Sequence, residues 1–94
     1  MDEVIDNIRQ HRFEMTVDGE VAFINYRLEG DRLILVHTEV PKSLSGRGIG
    51  KTLIRSVLNE ARRRGQRIVP DCEFVSAFIQ RNPEFKDLTA GAAL

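Results

Sequence analysis

Three glycines at alternate positions, Gly46, Gly48 and Gly50, stand where an extended segment gives way to a helix. The run from Val40 to Cys72, V-P-K-S-L-S-G-R-G-I-G-K-T-L-I-R-S-V-L-N-E-A-R-R-R-G-Q-R-I-V-P-D-C, reads as a strand end, a glycine-rich loop, an amphipathic helix, a second strand and then the one cysteine of the chain. Glycine at a helix entrance lets backbone amides approach a ligand that a Cβ would keep away. Unpaired amides at a helix N-terminus attract anions. The loop therefore demands a strand-loop-helix-strand frame and points to a phosphate-bearing ligand, with Cys72 the nearest candidate for chemistry.

The frame must fit in 94 residues, enough for one modest core and too few for two, so a single domain over 1–94 is expected. No internal repeat or linker interrupts it. Apolar residues make up 41% and charged residues 30%, which argues against disorder over most of the length. Lys plus Arg number 14, as do Asp plus Glu, and this neutral balance removes the bulk electrostatic argument for binding nucleic acid or a membrane. No apolar run is long enough to span a bilayer, and the first residues, M-D-E-V-I-D-N, are acidic, unlike a secretory leader. One cysteine forms no internal disulfide, and two histidines far from it do not resemble a zinc site. No metal and a reducing, cytoplasmic compartment are the expectations.

Upstream of the loop, His11 to Val17 alternates Phe13, Met15 and Val17 with polar neighbours, the period of a half-buried strand. Asp18-Gly19 signals a hairpin turn. Val21 to Leu28 and Arg32 to Val40 predict two more strands, the latter apolar and β-branched enough to be buried on both faces. The three form an antiparallel meander. From Ile49 the apolar positions Ile49, Leu53, Ile54, Val57, Leu58 and Ala61 make one stripe at helical period. Arg62, Arg63 and Arg64 suit the negative end of that helix, and Gly65 ends it. Gln66 to Val69 predicts a short fourth strand closed by Pro70. A second helix comes next over Phe74 to Arg81, with Phe74, Val75, Phe78 and Ile79 as its apolar face and Asn82-Pro83 as its stop. The tail from Thr89 offers little to pack and is expected to fray. The fold class is α+β: three antiparallel strands, then helix, strand, helix.

Three phosphate-binding signatures compete for S-L-S-G-R-G-I-G-K-T. The P-loop pattern G-x-x-x-x-G-K-[ST] finds its end in Gly50-Lys51-Thr52, but Ser45 occupies the place of its first glycine. The dinucleotide pattern G-x-G-x-x-G fails because the third glycine comes one residue early. The third pattern is Arg or Gln, two residues, Gly, one residue, then Gly or Ala, and Gly48 and Gly50 match its glycines. With H-T-E-V-P before it, and I-V-P-x-C-x-F-V and R-N-P-E-F after it, the chain resembles the small single-domain GNAT-like acetyltransferases over about residues 7–88. Ser45 departs from that pattern, standing where many such enzymes have Arg or Gln.

The resemblance implies a GNAT-like fold, acetyl-coenzyme A as co-substrate and transfer of an acetyl group to an amine whose identity is open. It implies that Val40, Ser45, Gly46, Arg47, Gly48, Ile49, Gly50, Lys51 and Thr52 hold the coenzyme, chiefly through backbone amides, with Lys42, Arg47 and Lys51 supplying positive charge. Asn82 and Phe85 are expected to line the cleft. A cysteine lies beside the thioester in this subfamily, and Cys72 matches it. Phe85 cannot act as the tyrosine acid that many GNAT enzymes use.

Cys72 follows a strand and precedes a helix whose N-terminus could lower its thiol pKa, although Asp71 and Glu73 push the other way. On an extended strand Leu33, Leu35, His37 and Glu39 share one face. His37 and Glu39 then become candidate bases, and with the two strands splayed apart, as the resemblance implies, His37 and Cys72 would face one cleft. Cys72, His37 and Glu39 can equally be structural. An amine could attack the thioester directly, or Cys72 could be acetylated first. A coenzyme-binding module without turnover is the rival from another class. A nucleic-acid module would rest on Arg62, Arg63, Arg64 and Arg67, which read better as a solvated helix end.

Overall fold

The helical stripe read from the sequence is the floor of the core. In the computed structural model, which describes residues 3–89, α1 (Ile49–Arg64) buries Leu53, Ile54, Val57, Leu58 and Ala61 against one face of a five-stranded sheet. The strands are β1 (Val4–Asn7), β2 (Arg12–Val17), β3 (Glu20–Glu29), β4 (Arg32–Glu39) and β5 (Arg67–Pro70), lying side by side in that order. The first four run antiparallel to their neighbours, and β5, returning through α1, pairs parallel with β4. A parallel neighbour needs such a crossover because a tight turn can only reverse the chain. Phe13, Met15, Ala22, Ile24, Leu33, Leu35 and Ile68 point from the sheet into the core. Helix α2 (Glu73–Arg81) adds Val75, Phe78 and Ile79, and a 3-10 turn over Pro83–Thr89 adds Phe85 and Leu88. Asp18-Gly19 forms the β2–β3 turn with positive φ at both residues, 51° and 79°, the backbone a two-residue hairpin needs to follow the sheet's twist.

The structure departs from the sequence reading at two strands. The first is β1, which pairs with β2 from Val4↔Met15 to Asn7↔Arg12. Four residues are too few to show a period, and Asp6 in their midst reads as a loop residue. Its carboxylate is instead the strand's fastener: Tyr26 Oη donates to it at 2.6 Å from β3 and Arg64 Nη1 at 3.0 Å from the end of α1. The second is β4. Tyr26 pairs with Leu35 but Asn25 with His37, so Val36 is an extra residue opposite β3. Only Leu33 to Leu35 are buried, and Val36 is exposed, contrary to the expectation of a strand covered on both faces. Of the tail, Thr89 ends the last 3-10 turn and residues 90–94 lie outside the described residues.

The fastener has a spectroscopic signature, because Tyr26 is the one tyrosine of the chain. Burial, and then the bond to Asp6, push its phenol from 10 to about 12. A pKa raised by folding stabilises the fold fully below the unfolded value and is lost as pH climbs through the folded one. Stability should therefore fall between pH 10 and about 12. Phenolate absorbance should rise near the upper value in the native protein and near the lower one in denaturant. A native phenol that titrates at its ordinary value would contradict the fastener.

Candidate active site

Strand β4 is twice as long as β5, and their difference in length opens the site. The two pair from Arg32↔Arg67 to Leu35↔Pro70, where β5 ends, while β4 continues to Glu39. Proline has no N–H to extend the ladder. Beyond Leu35 the edge of β4 that faces away from β3 therefore has no strand partner among the described residues. The extra Val36 falls at this parting. Because side chains alternate along a strand, one inserted residue reverses which of them face inward. The inward series Leu33, Leu35 continues as Thr38 and Val40, not as His37 and Glu39.

Thr38 meets the cysteine. Its Oγ1 lies 3.3 Å from Cys72 Sγ, across the gap left by the parted strands. Cys72 is the N-cap residue of α2, with extended φ and ψ of −92° and 128°. Its sulfur makes no full cap hydrogen bond there, but the Phe74 and Val75 amides point toward it. Partial burial pushes the thiol up, and the Thr38 hydroxyl together with the amides of Val75, Phe74 and Thr38 outweighs it, so the pKa lies below the ordinary value. Asp71 and Glu73 are exposed to solvent, which screens the opposing push expected of them. His37 and Glu39 bond to each other instead, Nε2 to Oε1 at 2.7 Å, on side chains 57% and 56% exposed. The structure thus brings Thr38 to Cys72 and turns His37 to the opposite face of β4, correcting the expectation of one shared cleft.

Two residues further along the same inward series, roughly 7 Å at strand spacing, Val40 reaches the glycine loop. A 3-10 turn over Lys42–Leu44, pinned by buried Leu44, leads into it. Gly48 is the N-cap of α1 at φ 71°, a left-handed conformation that L side chains rarely adopt. With no side chain to cap it and no acidic residue in the first turn, the amides from Gly48 to Lys51 remain donors without helical partners. They open on a cavity of about 410 Å³ walled by Val40, Leu44, Ile49, Gly50, Lys51 and Phe74, with Ser45 and Gly46 at its rim. Gly50 shapes this wall: a Cβ there would come within 2.8 Å of Phe74 Cζ. Helical spacing places Phe74 in the core, yet it is 43% exposed. Its ring stands beside the cavity instead.

Of the expected coenzyme contacts, Val40, Ser45, Gly46, Gly48, Ile49, Gly50 and Lys51 surround this cavity. The Ser45 hydroxyl donates to the Lys42 carbonyl at 2.8 Å, holding the turn. Arg47 reaches away to Asp18 of the hairpin at 2.7 Å, and Thr52 is not among the residues that line this cavity. Asn82 lines a neighbouring cavity, donating to the Phe78 carbonyl at 2.8 Å and accepting from Arg55 at 3.2 Å. Phe85 is buried in the core and does not line the cleft. Thr38 escapes sequence reasoning, and only the bulge, for which Val36 offers no glycine signal, could have pointed to it.

Residues 12–88, from β2 through the last 3-10 turn, match the model of the GCN5-related N-acetyl-transferase family. The chain belongs to that family. It is 32% identical to Protein NATD1 of Bos taurus over 78 residues, which is 80% of this chain and 69% of that one. It is 30% identical to Protein NATD1 of Mus musculus, over 84% of this chain and 76% of the other. A GCN5-like putative N-acetyltransferase of Staphylococcus aureus, solved by NMR, superposes with a TM-score of 0.71 at 26% identity, covering 92% of this chain and 85% of that one. The fold is thus that of the GCN5-related transferases. β1, the strand hidden from sequence reasoning, lies outside the family match.

If the Thr38 hydroxyl favours the thiolate, Thr38→Val should move the pH midpoint of Cys72 alkylation upward. Iodoacetamide labelling followed by intact mass reads this at a single site, since there is one thiol. An unchanged midpoint would show that the 3.3 Å contact has no electrostatic effect.

Proposed function

We propose that the protein binds acetyl-coenzyme A and passes its acetyl group to an amine by way of Cys72. The observation behind this reading is the line-up along the open edge of β4: uncapped amides and a cavity at Val40, the thiol at Thr38. The donor set suits the ligand. The amides of residues 48–51 with the Lys51 ammonium match a pyrophosphate, which accepts hydrogen bonds in several directions and is favoured by the helix dipole. The unpartnered edge of residues 36–40 suits an arm that carries amide groups, since such an arm pairs with a strand as another strand would. Bound there, the thioester supplies an activated acyl carbon.

The chain's own part is then a thiol exchange followed by aminolysis. Cys72, as the thiolate that Thr38 and the α2 amides favour, attacks the carbonyl carbon. A new C–S bond forms to Cys72 as the bond to the coenzyme's sulfur breaks and that sulfur leaves as thiolate. The acceptor amine attacks acetyl-Cys72, giving the amide, restoring the Cys72 sulfur and releasing one proton to solvent. The pleat turns His37 and Glu39 away from this thiol, so the reading gives them no part in the acyl step. Thr38 acts through Cys72 and is a positioning residue.

Mixing the protein with acetyl-coenzyme A should add one acetyl group to its intact mass, and Cys72→Ala should abolish the adduct while coenzyme A still raises the melting temperature. Gly48→Glu should abolish both effects, because it puts an anion and a strained left-handed residue at the N-cap. Stabilisation by the coenzyme with no adduct and no acetylated amine would overturn the proposal in favour of a binding module.

A further inference from the structure

Lysine is scarce in this chain. There are eleven arginines and only three lysines, Lys42, Lys51 and Lys86, and an acetyl group can settle on a lysine amine but not on a guanidinium that never loses its proton. All three lysines are exposed to solvent. Exposure alone would make them equal acceptors, but their places in the fold differ. Lys42 opens the 3-10 turn before the glycine loop and Lys86 lies in the last 3-10 turn, and neither walls the glycine-loop cavity. Lys51 does, from the first turn of α1. Two links tie that wall to the thiol. Along β4, Val40 stands in it two residues from Thr38, whose hydroxyl meets Cys72 Sγ at 3.3 Å. Along α2, Phe74 stands in it two residues from Cys72 itself. The Lys51 ammonium rides on a flexible four-carbon stem, and no ion pair among the described residues holds it.

While the coenzyme is bound, the Lys51 charge is taken up by the pyrophosphate. Once the acetyl group is on Cys72 and coenzyme A has left, that partner is gone, and Lys51 is the one lysine in the wall of the emptied cavity. We propose that Lys51 is a self-acetylation site: with no acceptor amine at hand it takes the acetyl group from Cys72, and the neutral amide that results weakens coenzyme binding. The inference rests on the reading above of coenzyme binding and of acetyl-Cys72. Lys51 Nζ, as the neutral amine, attacks the carbonyl carbon of acetyl-Cys72. The C–N bond forms as the C–S bond breaks, the Cys72 sulfur leaves as thiolate, and the nitrogen gives up one proton to solvent. Acetyl-Lys51 has lost the charge that would pair with the pyrophosphate. Protein charged with acetyl and left without an acceptor thus takes itself out of use.

Prolonged incubation of the full chain with acetyl-coenzyme A and no amine tests this, with each sample split between hydroxylamine and buffer. Hydroxylamine cleaves a thioester and spares an amide, so the acetyl on Cys72 and any acetyl on lysine are read separately, and peptide mapping assigns the resistant one. Resistant acetyl should build up at Lys51 about tenfold faster than at Lys42 or Lys86, a small part of what a well-placed intramolecular reaction can gain. Cys72→Ala should suppress that excess. Protein acetylated at Lys51 should bind coenzyme A about tenfold more weakly, the size of one hydrogen bond to a charged group. Equal rates at the three lysines beside a labile acetyl on Cys72 would overturn the inference and leave the coenzyme reading standing. So would an excess at Lys51 that survives Cys72→Ala, or unchanged coenzyme affinity of the Lys51-acetylated protein. A chain that takes neither acetyl group would overturn the acetyl-Cys72 reading and this inference with it.

Discussion

At Val36 one strand gains a residue opposite β3 while, on its other side, the pairing with β5 stops one residue earlier. These two events at one place generate the site. The lost partner leaves an open backbone edge, and the gained residue decides which side chains stand beside it. Without the bulge, alternation would carry Leu33 and Leu35 on to His37 and Glu39, as the sequence suggests. With it, Thr38 and Val40 face inward, one toward the thiol of Cys72 and the other toward the glycine loop. Bulges commonly re-aim side chains in this way next to functional sites.

The start of α1 is likewise left without a partner for its polar backbone groups. An Asp, Ser or Thr in the extended conformation usual for an N-cap accepts from the first amides, which is worth only about a few tenths of a kcal/mol over Gly. Gly48 makes no such bond and leaves those donors open. The other end of α1 is secured instead. Glu60 bonds to both Arg63 and Arg64, which hold its carboxyl down to about 2. Arg64 continues to Asp6 and so to β1 and Tyr26, while Arg62 bonds bidentately to Asp87 of the last 3-10 turn. The helix is tied to the rest of the protein at its C-terminal end, and the amides of its first turn are left open.

What the sequence made legible was whatever repeats. The meander, α1 and α2 each run long enough to show a period, and the glycine loop is marked by residues that have few other uses. β1 was hidden because four residues show no period and because its fastening is polar, through Asp6. The bulge was hidden because Val36 is an ordinary strand residue, and the register of β4 depends on its pairing with β3, which no single strand's own pattern reveals. Phe74 shows a different limit. Its helical spacing with Phe78 reads as core, but Gly50 opposite it provides a seat at the surface, and a residue's role in a wall depends on what the facing element lacks.

Net charge proved a poor guide to local field. A formal balance of zero removes any long-range pull on a large anionic partner, but it does not say how charges are sorted at short range. Around the site they are sorted by helix α2. Asp71 and Glu73 flank its N-cap on the thiol side, exposed to solvent, and Arg81 lies at its last turn beside Lys51 and Arg55. The order is not what the helix dipole alone would enforce at Cys72, since the amides that favour a thiolate there work beside two carboxylates rather than beside a cation. Hydrogen bonds of short reach decide the state of that sulfur, because exposed carboxylates are screened and the Thr38 hydroxyl is not. Helix α2 thus carries the Cys72 thiol at its N-cap and the Arg81 guanidinium at its last residue.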